Sequence, residues 1–161
     1  MFTASSPDQM PDLDTTLSMS GLAFMQAMRD GEISHPPVSK LMNYALEEVA
    51  QGKIVFRGTP GFEHTNPAGG IHGGWYGTLL DSCMSCAVMT VTPQGSVYTT
   101  LEYKVNMVAA IPVGREILAT GTVDHAGRTT GVAHGEIRDA ETGKLYATGS
   151  TTCLIMKLRG N

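Results

Sequence analysis

One segment of helix length, apolar over most of its surface, lies between a glycine-rich loop and Pro93. It starts at Gly74 or Trp75 and runs to about Thr92. Its apolar residues form one broad stripe, made of Leu79, Leu80, Cys83, Met84, Cys86, Ala87 and Val91. A stripe of this width predicts a helix that is buried on most sides. One helix can be buried in this way only if other elements surround it.

The segments on either side of this helix have the period-two pattern of strands. Residues 41–58 contain two runs separated by Gln51-Gly52, and four runs follow the helix: SVYTTLEYKVNMVA, REILATGTVDHA, TTGVAHGEIRD and KLYATGSTTCLIM. Short turns rich in Gly and Pro connect the last four, which predicts an antiparallel, meander-like set. The sequence therefore predicts an α+β fold in which a sheet of about six antiparallel strands wraps around one long central helix.

The N-terminal part differs in composition from the rest of the chain. Residues 1–16 are polar and contain two prolines, so we expect a mobile or loosely docked arm. A short amphipathic helix follows and ends near Gly31, and Pro36 and Pro37 prevent its continuation. We expect residues 17–161 to form a single domain, in keeping with the length of the chain.

Charge and cysteine content limit the partners and the compartment. The formal net charge of −4 argues against a nucleic-acid partner. No apolar run approaches the roughly 20 residues of a membrane-spanning helix, and the N-terminus lacks the features of a signal peptide. The three cysteines make no disulfide framework. We therefore expect a soluble cytoplasmic protein, and its low charged fraction of 16% hints at surface buried against another copy.

The glycine-rich loop and the following helix contain the candidate chemistry. Four glycines bracket a histidine and follow Asn66, and a carboxylate, Asp81, interrupts the apolar helix. Free N–H groups at a helix start can stabilise an oxyanion, and a carboxylate in apolar surroundings can act as a base. Two plainer interpretations stay open: the glycines form only a tight turn, and Asp81 is an acid favoured by the helix dipole.

The spacing of these groups makes a further prediction. Asp81 follows Gly73 by eight residues, which is roughly 12 Å along a helix. Groups that act on one carbonyl must both lie within about 3 Å of the reacting atoms. If both residues are catalytic, the site is therefore shared between two copies whose helices run antiparallel, and the dimer is obligatory.

These residues resemble the hotdog-fold acyl-CoA thioesterases of the phenylacetate-degradation type. The matching motif is Asn66, His72-Gly73-Gly74 and Asp81, within NPAGGIHGGWYGTLLDS, and the resemblance extends over about residues 17–156. It implies a hotdog domain that pairs into a dimer with shared sites, often paired again into a tetramer. It also implies hydrolysis of the thioester of a small or medium acyl-CoA, with aromatic acyl groups included.

The resemblance also implies roles for individual residues. The Gly73 N–H binds the thioester carbonyl, and Asp81 of the partner subunit is the nucleophile or the general base. Asn66 positions water or the carbonyl, and His72 orients the loop. Thr100, with Thr99 as the near alternative, supplies a hydroxyl from the strand after the helix.

Substrate contacts are expected at three further residues. Gly74 and Trp75 would border the channel for the acyl group or pantetheine, and Arg128 would lie near the phosphates of coenzyme A. A solvated turn arginine is the open alternative for Arg128. No cofactor and no metal are expected, because coenzyme A is part of the substrate. The alternative functions are a hotdog dehydratase of acyl thioesters and a non-catalytic acyl-CoA binding protein.

Two other motifs are better explained by packing or by turns. Cys83 and Cys86 form a C-x-x-C in mid-helix, whereas redox pairs lie at a helix N-terminus. His64 and His72 could complete a zinc set with them, but the geometry fits poorly. The segment GTVDHAGRT has the wrong spacing and context for a phosphate-binding loop.

Overall fold

The computed structural model describes residues 2–158, so Met1 of the predicted arm and residues 159–161 of the predicted domain lie outside the described residues. The helices are α1 (Leu13–Leu17), α2 (Gly21–Asp30), α3 (Pro37–Leu41) and α4 (Gly73–Met89), with 3-10 turns at Pro7–Gln9 and Phe62–His64. The strands are β1 (Tyr44–Ala50), β2 (Lys53–Gly58), β3 (Ser96–Met107), β4 (Ile117–Ala126), β5 (Thr130–Asp139) and β6 (Leu145–Lys157). None of the helices within the described range is long and apolar enough to cross a bilayer.

The six strands form one antiparallel sheet in the order β1-β2-β4-β5-β6-β3. The prediction of a meander-like set is therefore right only for β4, β5 and β6. β3 pairs with β6 at the far edge, and β2 takes the place beside β4. The physical reason is loop length: short hairpin turns join β4, β5 and β6, whereas residues 108–116 separate β3 from β4 and allow a crossing.

Helix α4 lies against the concave face of this sheet, which confirms the predicted α+β arrangement around one long central helix. Leu79, Leu80 and Met84 have no exposed surface. The sheet approaches very closely at one point, where a Cβ on Gly121 of β4 would lie 2.1 Å from the Cys83 carbonyl oxygen. Burial of nearly the whole helix supplies the main stabilisation of the domain.

Helix α2 and the short helix after it pack against β1, and α2 also contacts α4. Ser20 caps the start of α2 by accepting the Ala23 N–H, and Gly31 ends it with φ of +83°, as predicted from the sequence. Pro37 does more than prevent the continuation of α2, because it begins α3. Proline suits a first helical position, where its missing N–H would have no helical partner.

The segment predicted as an arm is docked by backbone hydrogen bonds. The Ala4 N–H donates to the His35 carbonyl at 3.0 Å, and the His35 N–H donates to the Phe2 carbonyl at 2.8 Å. Helix α1 extends from Leu13 to Leu17, so the predicted boundary at residue 16 lies inside a helix. The N-terminal segment therefore forms one wall of the folded unit.

Candidate active site

The loop before α4 is organised by Asn66. Its side-chain oxygen accepts the Ala68 N–H at 2.9 Å and the Gly70 N–H at 3.3 Å, and its own N–H donates to the Gly70 carbonyl at 2.8 Å. Gly69 has φ of +80°, a conformation that side chains rarely adopt. Asn66 therefore closes the loop through its oxygen, and its amide NH₂ is the group left for another molecule.

His72 occupies the N-cap position of α4. Its Nδ1 accepts the Gly74 N–H at 2.9 Å, and its carbonyl accepts the Trp75 N–H at 2.9 Å. A neutral His72 ring with an accepting Nδ1 carries its proton on Nε2, which is free to donate outward. The cap thus uses the amides of Gly74 and Trp75 and leaves that of Gly73.

The Gly73 N–H has no hydrogen-bond acceptor within residues 2–158. It is the first residue of α4, where helix geometry provides no internal partner. The Met107 side chain lies above it, and a Cβ on Gly73 would be 3.4 Å from the Met107 Sδ and Cε atoms. A free amide at the positive end of a 17-residue helix can bind an oxygen that gains negative charge.

Asp81 and Thr100 form the second half of the site. The Thr100 hydroxyl donates to Asp81 Oδ1 at 2.9 Å and joins β3 to α4. Burial raises the pKa of the Asp81 carboxyl, and the hydrogen bond from Thr100 opposes this rise because it favours the charged form. The pair therefore combines a carboxylate of increased basicity with a hydroxyl that fixes its orientation.

Within one chain, these two halves do not meet. Eight residues of α4 separate Gly73 from Asp81, which corresponds to roughly 12 Å along the helix axis. The structure thus brings together Asn66, His72, Gly73 and Gly74 at one end of α4, and Asp81 and Thr100 in its middle. This separation agrees with the spacing read from the sequence.

Two of the remaining predicted residues lie outside both halves. Thr99 is exposed, because successive side chains of β3 point to opposite faces of the sheet. Trp75 is only 2% exposed, and its Nε1 donates to the Met42 carbonyl at 2.9 Å. The structure therefore places the Trp75 side chain in the core, beneath the loop.

Arg128 is exposed in the turn between β4 and β5. The neighbouring Thr130 pairs with Leu154 of β6, and Leu154 pairs with Thr99 of β3. At about 4.8 Å per strand, the turn lies roughly 10 Å across the sheet from Thr99. Arg128 is thus near the same end of the sheet as the Asp81–Thr100 pair without touching it.

Tyr103 and Met107 of β3 lie over the exposed side of α4, and the sequence analysis missed Tyr103. Met107 covers Gly73, and the Tyr103 hydroxyl would lie 3.3 Å from a Cβ on Gly77. Both side chains are about half exposed, Tyr103 at 47% and Met107 at 56%. The bulge between Thr100 and Glu102 shifts the alternation of β3 by one residue, which brings these two odd-numbered residues over α4.

The cysteines are free thiols among the packed residues of the core. Cys83 and Cys153 are buried, and burial raises the pKa of the Cys86 thiol to about 11. The described part of the chain contains no group of three or more His, Cys, Asp or Glu side chains arranged to hold a metal ion. These observations agree with the packing interpretation of the C-x-x-C motif.

Comparison with known proteins gives a consistent result. Residues 68–146 match the family model described as "Thioesterase superfamily". Acyl-coenzyme A thioesterase 13 from Mus musculus is 30% identical over 112 residues, which are 70% of this chain and 79% of that protein.

Two solved structures share the architecture. Zebra fish thioesterase superfamily member 2 is 28% identical, with a TM-score of 0.69, over 85% of this chain and 99% of that one. A phenylacetic acid degradation-related protein from Ralstonia eutropha has a TM-score of 0.74 at 23% identity, over 81% of this chain and 98% of that one.

Proposed function

The chain belongs to the thioesterase superfamily, and from this premise we propose that it hydrolyses the thioester bond of acyl-CoA. The observation that carries the proposal is the half-buried Asp81 held by the Thr100 hydroxyl, on a helix whose first amide has no acceptor among the described residues. These are the two elements that thioester hydrolysis requires: a base or nucleophile, and a donor for the carbonyl oxygen.

In the proposed reaction, the Gly73 N–H binds the carbonyl oxygen and stabilises the negative charge that develops there. Asp81 either removes a proton from the attacking water or attacks the carbonyl carbon itself, in which case water then hydrolyses the anhydride formed between the acyl group and Asp81. The C–S bond breaks, the thiolate of coenzyme A takes up a proton, and the acyl group leaves as a carboxylic acid. His72 holds the loop that presents Gly73, and Asn66 offers its amide NH₂ to water or substrate.

We propose that each site is completed by a second copy of the chain. β3 lies at the edge of the sheet and exposes apolar side chains, with Leu101 at 60% and Met107 at 56%. An unpaired apolar edge of this kind is suited to pairing with another strand. A two-fold axis beside β3 and α4 would place Asp81 of one copy near Gly73 of the other.

Three finer expectations complete the proposal. Arg128 contacts the phosphates of coenzyme A from its turn, and the dimers pair again into tetramers. The free thiols agree with a reducing compartment, and we propose the cytoplasm.

A panel of acyl-CoA substrates with a thiol-detecting dye tests the activity. We expect Asp81→Asn to lower kcat on the order of 10²-fold or more, the scale of a lost acid–base group. Asp124→Asn is the matched control, since Asp124 is an exposed carboxylate paired with His134 on β5. Full activity in Asp81→Asn, or no hydrolysis of any acyl-CoA by the wild-type protein, would refute the proposal.

Mixing two inactive variants tests whether the site is shared. Gly73→Pro deletes only the amide donor, because proline is tolerated at the first helical position and His72 already has an extended backbone. Gly73→Ala keeps the donor and serves as control. Refolding Asp81→Asn and Gly73→Pro chains together should restore about a quarter of wild-type activity, since half of the dimers then hold one intact site. A mixture as inactive as its components would exclude a shared site.

A further inference from the structure

A cavity of about 480 Å³ lies beside α4 and is not part of the site described so far. One wall is formed by Ser82, Cys86 and Met89, which lie on one helix face at intervals of four and three residues. This wall extends roughly 10 Å along the helix. The opposite walls come from α2, β2 and β3, with Phe24, Met25, Met28, Phe56, Val97 and Tyr98.

The cavity begins next to the Asp81–Thr100 pair. Ser82 directly follows Asp81 in α4, and Tyr98 precedes Thr100 by two residues in β3, so that both strand side chains point toward the helix. Each of these two elements, α4 and β3, therefore carries one residue of the Asp81–Thr100 pair and one residue of the cavity wall. An acyl group attached at the carbonyl beside Asp81 has this space within reach.

The Tyr44 and Ser82 hydroxyls of the cavity wall are hydrogen-bonded within the protein. The Ser82 hydroxyl donates to the Thr78 carbonyl at 2.8 Å, so the Tyr44 hydroxyl is the donor in its 2.9 Å contact with Ser82. His35 is 3% exposed, and burial lowers its pKa, which favours the neutral ring. The wall thus offers an apolar chain good contacts and offers an anionic acyl group no counter-ion.

The N-terminal segment closes the outer side of the cavity. It contributes four lining residues, which are Pro11, Asp12, Leu13 and Thr16. Because Leu13 both lines the cavity and is 55% exposed, its side chain lies between the cavity and solvent. Helix α1 has five residues and is joined at its end by the Gly95 N–H, which donates to the Leu17 carbonyl at 3.2 Å. So short a helix has little stability of its own, which makes it the part of the wall that is most easily changed.

Building on the proposed thioesterase activity, we propose that this cavity binds an unbranched aliphatic acyl chain and that α1 limits its length. The volume lies within the range of about 300–1,000 Å³ that is typical of small-molecule sites. At about 30 Å³ for each methylene-sized group, it holds up to about sixteen methylene groups. Acyl chains of about twelve to sixteen carbons should therefore fill it, whereas chains of about twenty carbons exceed it.

Chain-length profiles of the full-length enzyme test this proposal. kcat/KM is measured for acetyl-, lauroyl-, palmitoyl- and arachidoyl-CoA, and we expect the highest values for the middle two. Met28→Trp should lower the palmitoyl value about tenfold, the effect of excluding two methylene groups, and leave the acetyl value unchanged. Leu13→Ala combined with Thr16→Ala should instead raise the arachidoyl value relative to palmitoyl.

Met10→Ala is the matched control, because Met10 belongs to the same segment and does not line the cavity. Melting curves of every variant establish that it is folded. The same chain-length profile in the control, in the double variant and in the wild type, from an active enzyme, would overturn the acyl pocket and leave the thioesterase activity intact. Absence of hydrolysis at every chain length would overturn both proposals.

Discussion

Replacing Thr100 by Val removes one hydroxyl donor and keeps the branched shape of the side chain. The hydroxyl donates to Asp81 Oδ1 at 2.9 Å, and a hydrogen bond to a charged group contributes about 1.5–3 kcal/mol. The lower end applies here, since the carboxylate is only half-buried and water partly replaces the lost donor. About 1.4 kcal/mol corresponds to a factor of ten in an equilibrium constant. The carboxylate of the variant should therefore hold its proton about ten times more tightly.

The assay is the pH dependence of kcat/KM for one acyl-CoA. Because the deprotonated carboxylate is the active form, the acid limb of the profile should move to higher pH in Thr100→Val. At a fixed pH on that limb, activity should fall about tenfold, and at high pH most of it should return.

Two further variants make this result specific. Thr100→Ser keeps the hydroxyl and should restore the wild-type profile. Thr99→Val changes the exposed neighbour on the opposite face of β3 and should change nothing. If the acid limb of Thr100→Val coincides with that of the wild type, the hydrogen bond does not control the protonation of Asp81 and the reasoning is wrong.

Three other predictions follow from the packing. Burial raises the pKa of the Asp81 carboxyl above its ordinary 3.8, so the folded state loses stability as pH rises through that raised pKa. Asp81→Asn should therefore melt at a higher temperature than the wild type at pH 7. Below pH 3.8, where the carboxyl is protonated in both the folded and the unfolded state, the difference should vanish. Gly121→Ala should cost about 2 kcal/mol or more in urea unfolding because its Cβ would collide with the Cys83 carbonyl, whereas Gly70→Ala, with its nearest contact at 3.8 Å, should cost less than about 1 kcal/mol. Trp75→Phe should lower stability by roughly 1–3 kcal/mol, since a buried carbonyl loses its donor, and leave KM unchanged; a changed KM with unchanged stability would support the substrate contact predicted from the sequence.

The amino-acid sequence was sufficient for the two longer helices and the six strands, and for the order in which they occur. Hydrophobic periodicity is local, so it identified α2, α4 and six strands, and the turn residues separated them correctly. The spacing of Gly73 and Asp81 is also a local property, because helix geometry converts eight residues directly into a distance. For the same reason, the sequence alone predicts that a second copy completes the site if Gly73 and Asp81 are both catalytic.

The tertiary structure decided which elements and side chains meet. The pairing of β3 with β6 depends on competition among strand edges, which periodicity does not contain. The partner of Asp81 depends on tertiary structure in the same way. The sequence proposed a hydroxyl at Thr99 or Thr100, and only the register of β3 showed that the Thr100 hydroxyl contacts Asp81. The cavity beneath α1 is likewise formed by residues of seven separate helices and strands. Local preferences are encoded residue by residue, whereas packing is a collective property of distant residues. The strand pairing, the partner of Asp81 and the cavity therefore became evident only in the folded chain.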